Sequence, residues 1–514
     1  MRYAGVIILL VATWTTLPES EGAKILGLFN LNGRSHFVMF QSLLKGLAQK
    51  GHEVYVVGHF PQKKPIANYT DISVEGCLPV LVNNFTVDFV RDLGYVNLLD
   101  FIWKLTLDMC DTVLQQPNVQ NLIASSDKFD LIITEIFGPD CFLGLAHKFK
   151  TPVISMISSV MLPWGNDRVG NPDNPSFIPN YFVPFTDEMN FFQRFMNTIV
   201  YMGTKLGSYY IGDLAMDELG RKYYGEDLPP LAELKKNTSL IFVNSHFSLN
   251  IPRPTVPGVI EVGGIHIQRG GKLPKDIEQF MNDAKHGVIY FSLGSLVRAE
   301  TLPKETIDML LKVFSKVPQR VLWKIEYSGQ LPSNIMASKW LPQFEILSHP
   351  NTKVFITHGG LMGTQEGVYT GVPMIGIPLF ADQELNIRNA MTKGVATLVH
   401  YESLSEQTIT HALNTVLEDP SYQRNAKYLS QLFRDRPQTA LETAIFWTEY
   451  VIRHHGAPHL KSAAVELPLY QYLLLDVVTA IVFLFVTISV IAYFAVRKVL
   501  TLLCGHKSKK VKKN

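Results

Sequence analysis

The sequence predicts two doubly wound α/β domains that face each other, followed by one C-terminal transmembrane helix. Three observations carry this. Short apolar strands alternate with helical periodicities in two separate series. A stretch dense in Pro and Gly divides the series. Residues 477–496 carry no charge, about the 20 residues that a spanning helix needs. A chain of 514 residues also exceeds what one compact core holds.

The elements follow in order. Arg2 precedes an apolar run over 4–12, and small or polar residues continue to Ser20 and Gly22, so 1–22 reads as a secretory signal peptide. A buried first strand is the plainer reading, but a better strand follows at once over 24–29. The first domain is placed at 23–250. After the strand come turn residues 30–35 and a helix over 37–49, with Phe37, Phe40, Leu44, Leu47 and Ala48 at helical spacing and Gly51 ending it. A strand at 53–57 completes a βαβ unit. Further strands at 129–134 and 152–155 flank a helix over about 141–149. The aromatic stretch 185–211 reads plainly as a core helix pair; the other reading is a surface that lines an acceptor entrance or rests on a bilayer. A linker is expected at 251–280. The second domain, 281–435, has strands at 287–291, 321–325, 353–357 and 373–377. A helical segment over 436–455 and a stalk to 470 lead to the membrane span at 471–496 and a basic tail at 497–514.

The net charge is +2 with no Lys/Arg stripe, which argues against nucleic acid as a partner. After the span, Arg497, Lys498, Lys507, Lys509, Lys510, Lys512 and Lys513 stand without an acidic residue. The positive-inside rule puts this tail in the cytosol and the body in a lumen, a single-pass type I arrangement. Lysines third and fifth from the end resemble a dilysine signal for retrieval to the endoplasmic reticulum; a basic stop-transfer flank would look much the same. Cys77, Cys110 and Cys141 precede the span, so at most one internal disulfide forms there and one thiol is left over. Asn68, Asn84 and Asn237 fit the N-glycosylation pattern.

The densest segment runs over 340–389. Residues 354–357 read as a buried strand, His358-Gly359-Gly360 as the turn at its end, and a helix is expected from about Gly363. Glycines let a ligand approach the backbone, and the free amides of a first helical turn suit a diphosphate. This segment, with Trp340-x-x-Gln343 ahead of the turn and Glu366 and Asp382-Gln383 after it, resembles the signature of the UDP-glycosyltransferase family. The resemblance covers most of the chain, closest in wording to animal and in particular insect members. It implies the GT-B fold and transfer of a sugar from a UDP-sugar.

By that resemblance Trp340 stacks on uracil, Gln343 bonds its edge, and Glu366 holds the ribose hydroxyls. Ser295, His358 and Gly360 surround the diphosphate, and Asp382 and Gln383 contact the sugar. The chain departs at Met362, where many relatives have an Asn that bonds phosphate. His36, beside Arg34 and Ser35, matches the family's catalytic base; an imidazole titrates near neutral pH and can take the acceptor's proton. A carboxylate should orient it. Glu135 aligns better for that role, while Asp140 has the expected side-chain length, and both stay open. There is no Asp-x-Asp, so no metal and no cofactor beyond the UDP-sugar co-substrate are expected.

The acceptor site is expected in loops after the first domain's strands and in the 185–211 region, lined to suit a small lipophilic molecule. The leading reading is inverting transfer of a hexose, glucose expected, to a hydroxyl of such an acceptor, in detoxification. The alternatives are a non-catalytic UDP-sugar-binding partner subunit and a transferase acting on a lipid or protein. The sequence leaves a homo-oligomer open.

Overall fold

The computed structural model describes residues 22–82, 84–92, 94–268 and 270–508. The expected signal peptide, apart from Gly22, and the lysine-rich end at 509–514 lie outside the described residues.

The first lobe is built from β1 (Lys24–Leu28), α1 (Arg34–Gln49), β2 (Glu53–Gly58), β3 (Tyr69–Ser73), α2 (Tyr95–Leu114), β4 (Leu131–Glu135), β5 (Val153–Ile157), α3 (Phe191–Gly207), α4 (Leu214–Tyr224), β6 (Thr238–Val243) and β7 (Val259–Glu261). Its seven strands are parallel in the order β3-β2-β1-β4-β5-β6-β7. The central strands β4 and β5 are buried along their whole length. Helices on both faces of a parallel sheet require that, and their apolar runs provide it. α1 lays Phe37, Phe40, Leu44 and Leu47 into the core. A disulfide joins Cys110 of α2 to Cys141, and Cys77 is the thiol left over. β7 corrects the expected linker. It adds to this sheet at 259–261, because three residues in a Pro- and Gly-rich stretch suffice to pair with Ile241, Phe242 and Val243.

The second lobe holds β8 (Val288–Ser292), β9 (Arg320–Lys324), β10 (Ile335–Ser338), β11 (Thr352–Thr357), α5 (Leu361–Thr370), β12 (Met374–Gly376), α6 (Gln383–Thr392) and β13 (Ala396–Leu398). Its strands are again all parallel, in the order β10-β9-β8-β11-β12-β13. Then α7 (Ala440–Arg453) returns to the first lobe and packs on α1. Gly46 makes that docking possible: a Cβ there would stand 2.9 Å from Leu441 Cδ1. The lobes also meet through Gln365. Its buried amide donates to Asn244 O at 3.0 Å and accepts from Gly264 N at 3.0 Å.

The C-terminal unit, Ser462–Asn514, is separate. Its long helix α8 (Leu475–Ser508) starts just ahead of the charge-free run and continues beyond 496. Leu475–Leu503, with mean hydropathy 2.6, is long and apolar enough to cross a membrane.

Candidate active site

In a doubly wound sheet, ligands bind beyond the carboxyl ends of the strands where strand order reverses. In the first lobe that point lies between β1 and β4, which pair Leu28 with Thr134. The chain leaves β1 through a turn into α1, so His36, in the first helical turn, comes to face Glu135 at the end of β4. His36 Nδ1 lies 2.6 Å from Glu135 Oε1 and 2.8 Å from Ser158 Oγ. A carboxylate only accepts, so Nδ1 carries the proton and Nε2 is the basic nitrogen. Phe137 holds the ring edge-on at 4.9 Å between centroids. The imidazole is one quarter exposed and the Glu135 side chain 2%.

Asp140 is not brought to His36. Its carboxylate pairs with buried Arg168 at 3.1 Å and accepts from Thr134 Oγ1 at 3.0 Å and Phe142 N at 3.2 Å. Two residues of turn after Ile136 and Phe137 swing it under the sheet end, toward an arginine that must be neutralised there.

In the second lobe the reversal lies between β8 and β11, which pair Ser292 with Thr357. The loops after these strands interlock. Gly294 has φ +82°, and a Cβ on it would lie 2.5 Å from His358 Cε1, so only glycine lets the imidazole pack there. His358 Nδ1 is buried without a hydrogen-bond partner. Burial, then the charge of Lys324, pushes the His358 pKa down to about 4, so the ring is neutral near pH 7. α5 begins at Leu361, earlier than the expected Gly363, directly after Gly360. Its first-turn amides have no carbonyl to bond within the helix.

Lys324 was not legible in the sequence. It ends β9, next to β8, and donates from Nζ to Gly294 O at 2.5 Å. Burial lowers its pKa. Gln343 Nε2 donates to Glu366 Oε2 at 2.7 Å, and burial raises the Glu366 pKa to about 7 against that bond. Trp340 stands two-thirds exposed at the rim. Ala381 takes φ +55°, a conformation that non-glycine residues rarely adopt, and so turns Asp382 into the opening. Burial raises the Asp382 pKa; a bond from Asn386 Nδ2 at 3.0 Å, the charge of His36 and a hydrogen bond with Tyr181 of the first lobe oppose that shift. Gln383 accepts from Leu379 N at 2.8 Å and Phe380 N at 3.3 Å.

Ser295, Trp340, Gln343, His358, Gly360, Glu366, Asp382 and Gln383 therefore line one open cleft, and His36 lines it from the other lobe. Met362 lines it too. A second cavity adjoins, sharing Ser35, His36, Phe137, Tyr181, Phe380 and Ala381 with the first. Its remaining wall comes from Leu31, Phe85, Phe89, Leu98, Phe101 and Ile102 among others. None of residues 185–211 lines it, so the aromatic stretch is not part of this wall. The wall-forming residues come from segments far apart in the sequence, which no local pattern joins. The segment at 84–87 also crosses to the second lobe: Asn84 N donates to Leu296 O at 3.2 Å and Val87 N to Thr301 Oγ1 at 3.1 Å. Asn68, Asn84 and Asn237 are all exposed. Among the described residues, no three His, Cys, Asp or Glu gather as a metal site.

The family model for UDP-glucoronosyl and UDP-glucosyl transferase matches residues 28–513. The chain belongs to the UDP-glycosyltransferase family. As a UDP-glycosyltransferase it is 43% identical to UDP-glucosyltransferase 2 of Dactylopius coccus, over 99% of each chain. It is 33% identical to UDP-glucuronosyltransferase 2B15 of Rattus norvegicus, over 86% of this chain and 87% of that one. Among solved structures, the calicheamicin glycosyltransferase CalG4 matches with TM-score 0.55 at 17% identity, over 84% of this chain and 99% of that one. A Polygonum tinctorium UDP-glucosyltransferase matches with TM-score 0.56 at 16% identity, over the same shares. These likenesses carry the fold: the two parallel sheets are the GT-B arrangement of glycosyltransferases, and the family transfers a sugar from a UDP-sugar.

Proposed function

We propose that this UDP-glycosyltransferase inverts the anomeric carbon as it moves glucose from UDP-glucose to a hydroxyl of a small lipophilic acceptor, serving detoxification. The carrying observation is the position of His36, on the wall common to the polar cleft and the aromatic cavity. The acceptor lies in the apolar cavity, a setting for flat, uncharged molecules. Its hydroxyl gives its proton to His36 Nε2, its oxygen bonds to C1 of the sugar, and the C1–O bond to UDP breaks on the opposite face. Glu135 keeps the proton on Nδ1 and stabilises the imidazolium that forms. The glucose reading draws on the relative named as a UDP-glucosyltransferase. The direct test is to offer membranes bearing the protein several UDP-sugars with a phenol panel and identify products by mass spectrometry. A glucoside of an apolar phenol supports the reading; UDP-sugar binding without turnover on any acceptor would favour a non-catalytic subunit.

On the donor side Trp340 stacks on uracil and Gln343 bonds its edge. Trp340→Ala should raise the donor KM about tenfold or more, as loss of base stacking worth about 1–3 kcal/mol implies, with kcat little changed. Glu366 receives the ribose hydroxyls as a carboxylate. With its pKa near 7 in the free protein, the competent form is lost as pH falls through that value. Donor affinity should therefore drop about tenfold per unit below pH 7, measured by titration calorimetry, and Glu366→Gln should flatten that profile. Asp382 and the free amide of Gln383 contact sugar hydroxyls.

The leaving diphosphate meets the amides of α5, Ser295, neutral His358 and Lys324, whose Nζ donates to Gly294 O in the facing loop. Met362 offers no bond, so amides and Lys324 carry more of the charge, without a metal. A chelator should leave initial rates unchanged. Lys324→Gln should weaken UDP binding well over tenfold yet leave uridine binding alone, which separates a charge effect from general damage. α8 anchors the protein as a single-pass type I protein of the endoplasmic reticulum, its body in the lumen, with glycans on the three exposed asparagines.

A further inference from the structure

His266 is a buried imidazole with no part in the steps assigned to His36 and His358. It follows β7 on the segment that carries the chain from the first sheet to the second. Backbone bonds fix this segment to the first lobe. Val262 N donates to Val243 O at 2.9 Å, Gly263 N to Ser245 O at 2.9 Å and Ile265 N to Val262 O at 3.0 Å. The residue itself lines the donor cleft beside Gln343 and Glu366. Its side chain is 3% exposed, and neither ring nitrogen has a hydrogen-bond partner. Buried polar groups are nearly always paired, and an unpaired one costs free energy. Such a group marks a contact that the filled site completes. Burial, opposed by the backbone of Met362, pushes the His266 pKa down to about 4. The ring is therefore neutral near pH 7 and carries one N–H.

The group that His266 faces is the Glu366 carboxylate. Nε2 lies 3.7 Å from Glu366 Oε1. The other oxygen is already held: Gln343 Nε2 donates to Oε2 at 2.7 Å, and Gln343 Oε1 accepts from Tyr290 OH of β8 at 3.3 Å. A chain of bonds from β8 thus steadies one oxygen, and an unpaired imidazole stands at the other. An ionised carboxylate only accepts, so the ring meets it with the proton on Nε2. The gap exceeds the about 2.7–3.2 Å of an N–H···O bond, and a small turn of either side chain closes it. Bonds of this kind tighten when a site takes its ligand. Each carboxylate oxygen accepts two bonds. With one donor from the protein on each, both keep a lone pair for a pair of neighbouring hydroxyls. Adjacent residues of α5 then meet the same segment, because Gln365 Oε1 already accepts from Gly264 N.

We propose that His266 is a positioning residue of the donor site: its Nε2–H donates to Glu366 Oε1 when a nucleoside diphosphate binds, and so aims this carboxylate at the ribose hydroxyls. The proposal rests on the reading of Glu366 as the ribose acceptor. It brings the first lobe into donor recognition. The nucleotide lies on the second lobe, but its ribose is gripped by a carboxylate whose aim depends on a residue fixed to the ends of β6 and β7.

The test is calorimetry on the full-length protein in detergent, with UDP and with 2′,3′-dideoxy-UDP, which lacks both ribose hydroxyls. His266→Phe keeps a flat ring and removes the nitrogens. It should weaken UDP binding about ten- to a hundredfold, the worth of a hydrogen bond to a charged group, and leave dideoxy-UDP binding unchanged. His266→Gln, which keeps a donor, should bind UDP more tightly than His266→Phe. In a Glu366→Ala background, His266→Phe should change UDP affinity by no more than about twofold, since the group through which it acts is gone. Equal weakening of both ligands would reduce His266 to a structural role and overturn the proposal, as would a full further loss in the Glu366→Ala background. If the unmodified protein prefers UDP and His266→Phe keeps that preference in full, the proposal fails while the ribose reading of Glu366 stands. If the unmodified protein binds both ligands alike, the ribose reading fails and takes the proposal with it.

Discussion

His36→Ala is expected to lower turnover by about 10²–10⁴-fold, the usual contribution of a positioned base, while affinity for UDP stays as it was. The two halves of this outcome follow from the two lobes. His36 sits at the start of α1 in the first lobe, and the residues assigned to the nucleotide stand on loops and helices of the second. The imidazole is partly exposed at the cleft wall and its two hydrogen-bond partners, Glu135 and Ser158, both belong to the first lobe, so its loss is felt there. Initial rates with a phenol acceptor and calorimetry with UDP measure both quantities on one preparation. Retained turnover would refute the base assignment; lost UDP binding would show that the substitution had disturbed more than the base.

The second large effect separates two acidic residues between which the sequence left the orienting role open, Glu135 aligning better. Glu135→Gln should depress kcat severely with little change in thermal midpoint, because the amide no longer holds the proton on Nδ1 or stabilises the imidazolium. Asp140→Asn should do the reverse. It leaves Arg168, whose side chain is fully buried, without its counter-charge, a loss of about 3–5 kcal/mol for a broken buried pair. Ser155 Oγ at 3.3 Å is the other contact of Arg168 Nη1, and its Nε and Nη2 have no partner. Paired thermal unfolding and kcat measurements on both variants decide the matter. A fall in kcat at unchanged stability for Asp140→Asn, with Glu135→Gln near normal, would exchange the two roles.

Much of the framework is legible in the sequence. Buried parallel strands must be apolar throughout, so β1, β4, β8 and β11 stood out as runs, and turns rich in glycine marked the ends where the cleft forms. The signature over 340–389 is local, and local patterns survive in sequence. What could not be read has one cause in three forms: it depends on tertiary partners. β7 is three residues long and is a strand only because β6 offers an edge. Lys324 ends an ordinary strand, and only the pairing of β8 with β9 sets it against Gly294. The periodicity of 185–211 gave the presence of an apolar face but not its direction. A hydrophobic stripe normally turns inward, and here Asn197 and Thr204 took that side because the loop at 175–180 offers polar partners. The place of Asp140 likewise depends on Arg168, a residue 28 positions beyond it.

The stereochemistry of transfer depends on where the acceptor oxygen stands when the sugar leaves UDP. NMR of the glycoside formed from UDP-α-glucose reports this through the anomeric proton. A β-glycoside is the predicted product, since His36 delivers the oxygen from the face opposite the diphosphate. An α-glycoside would contradict the geometry proposed for the cleft and, with it, the role of His36.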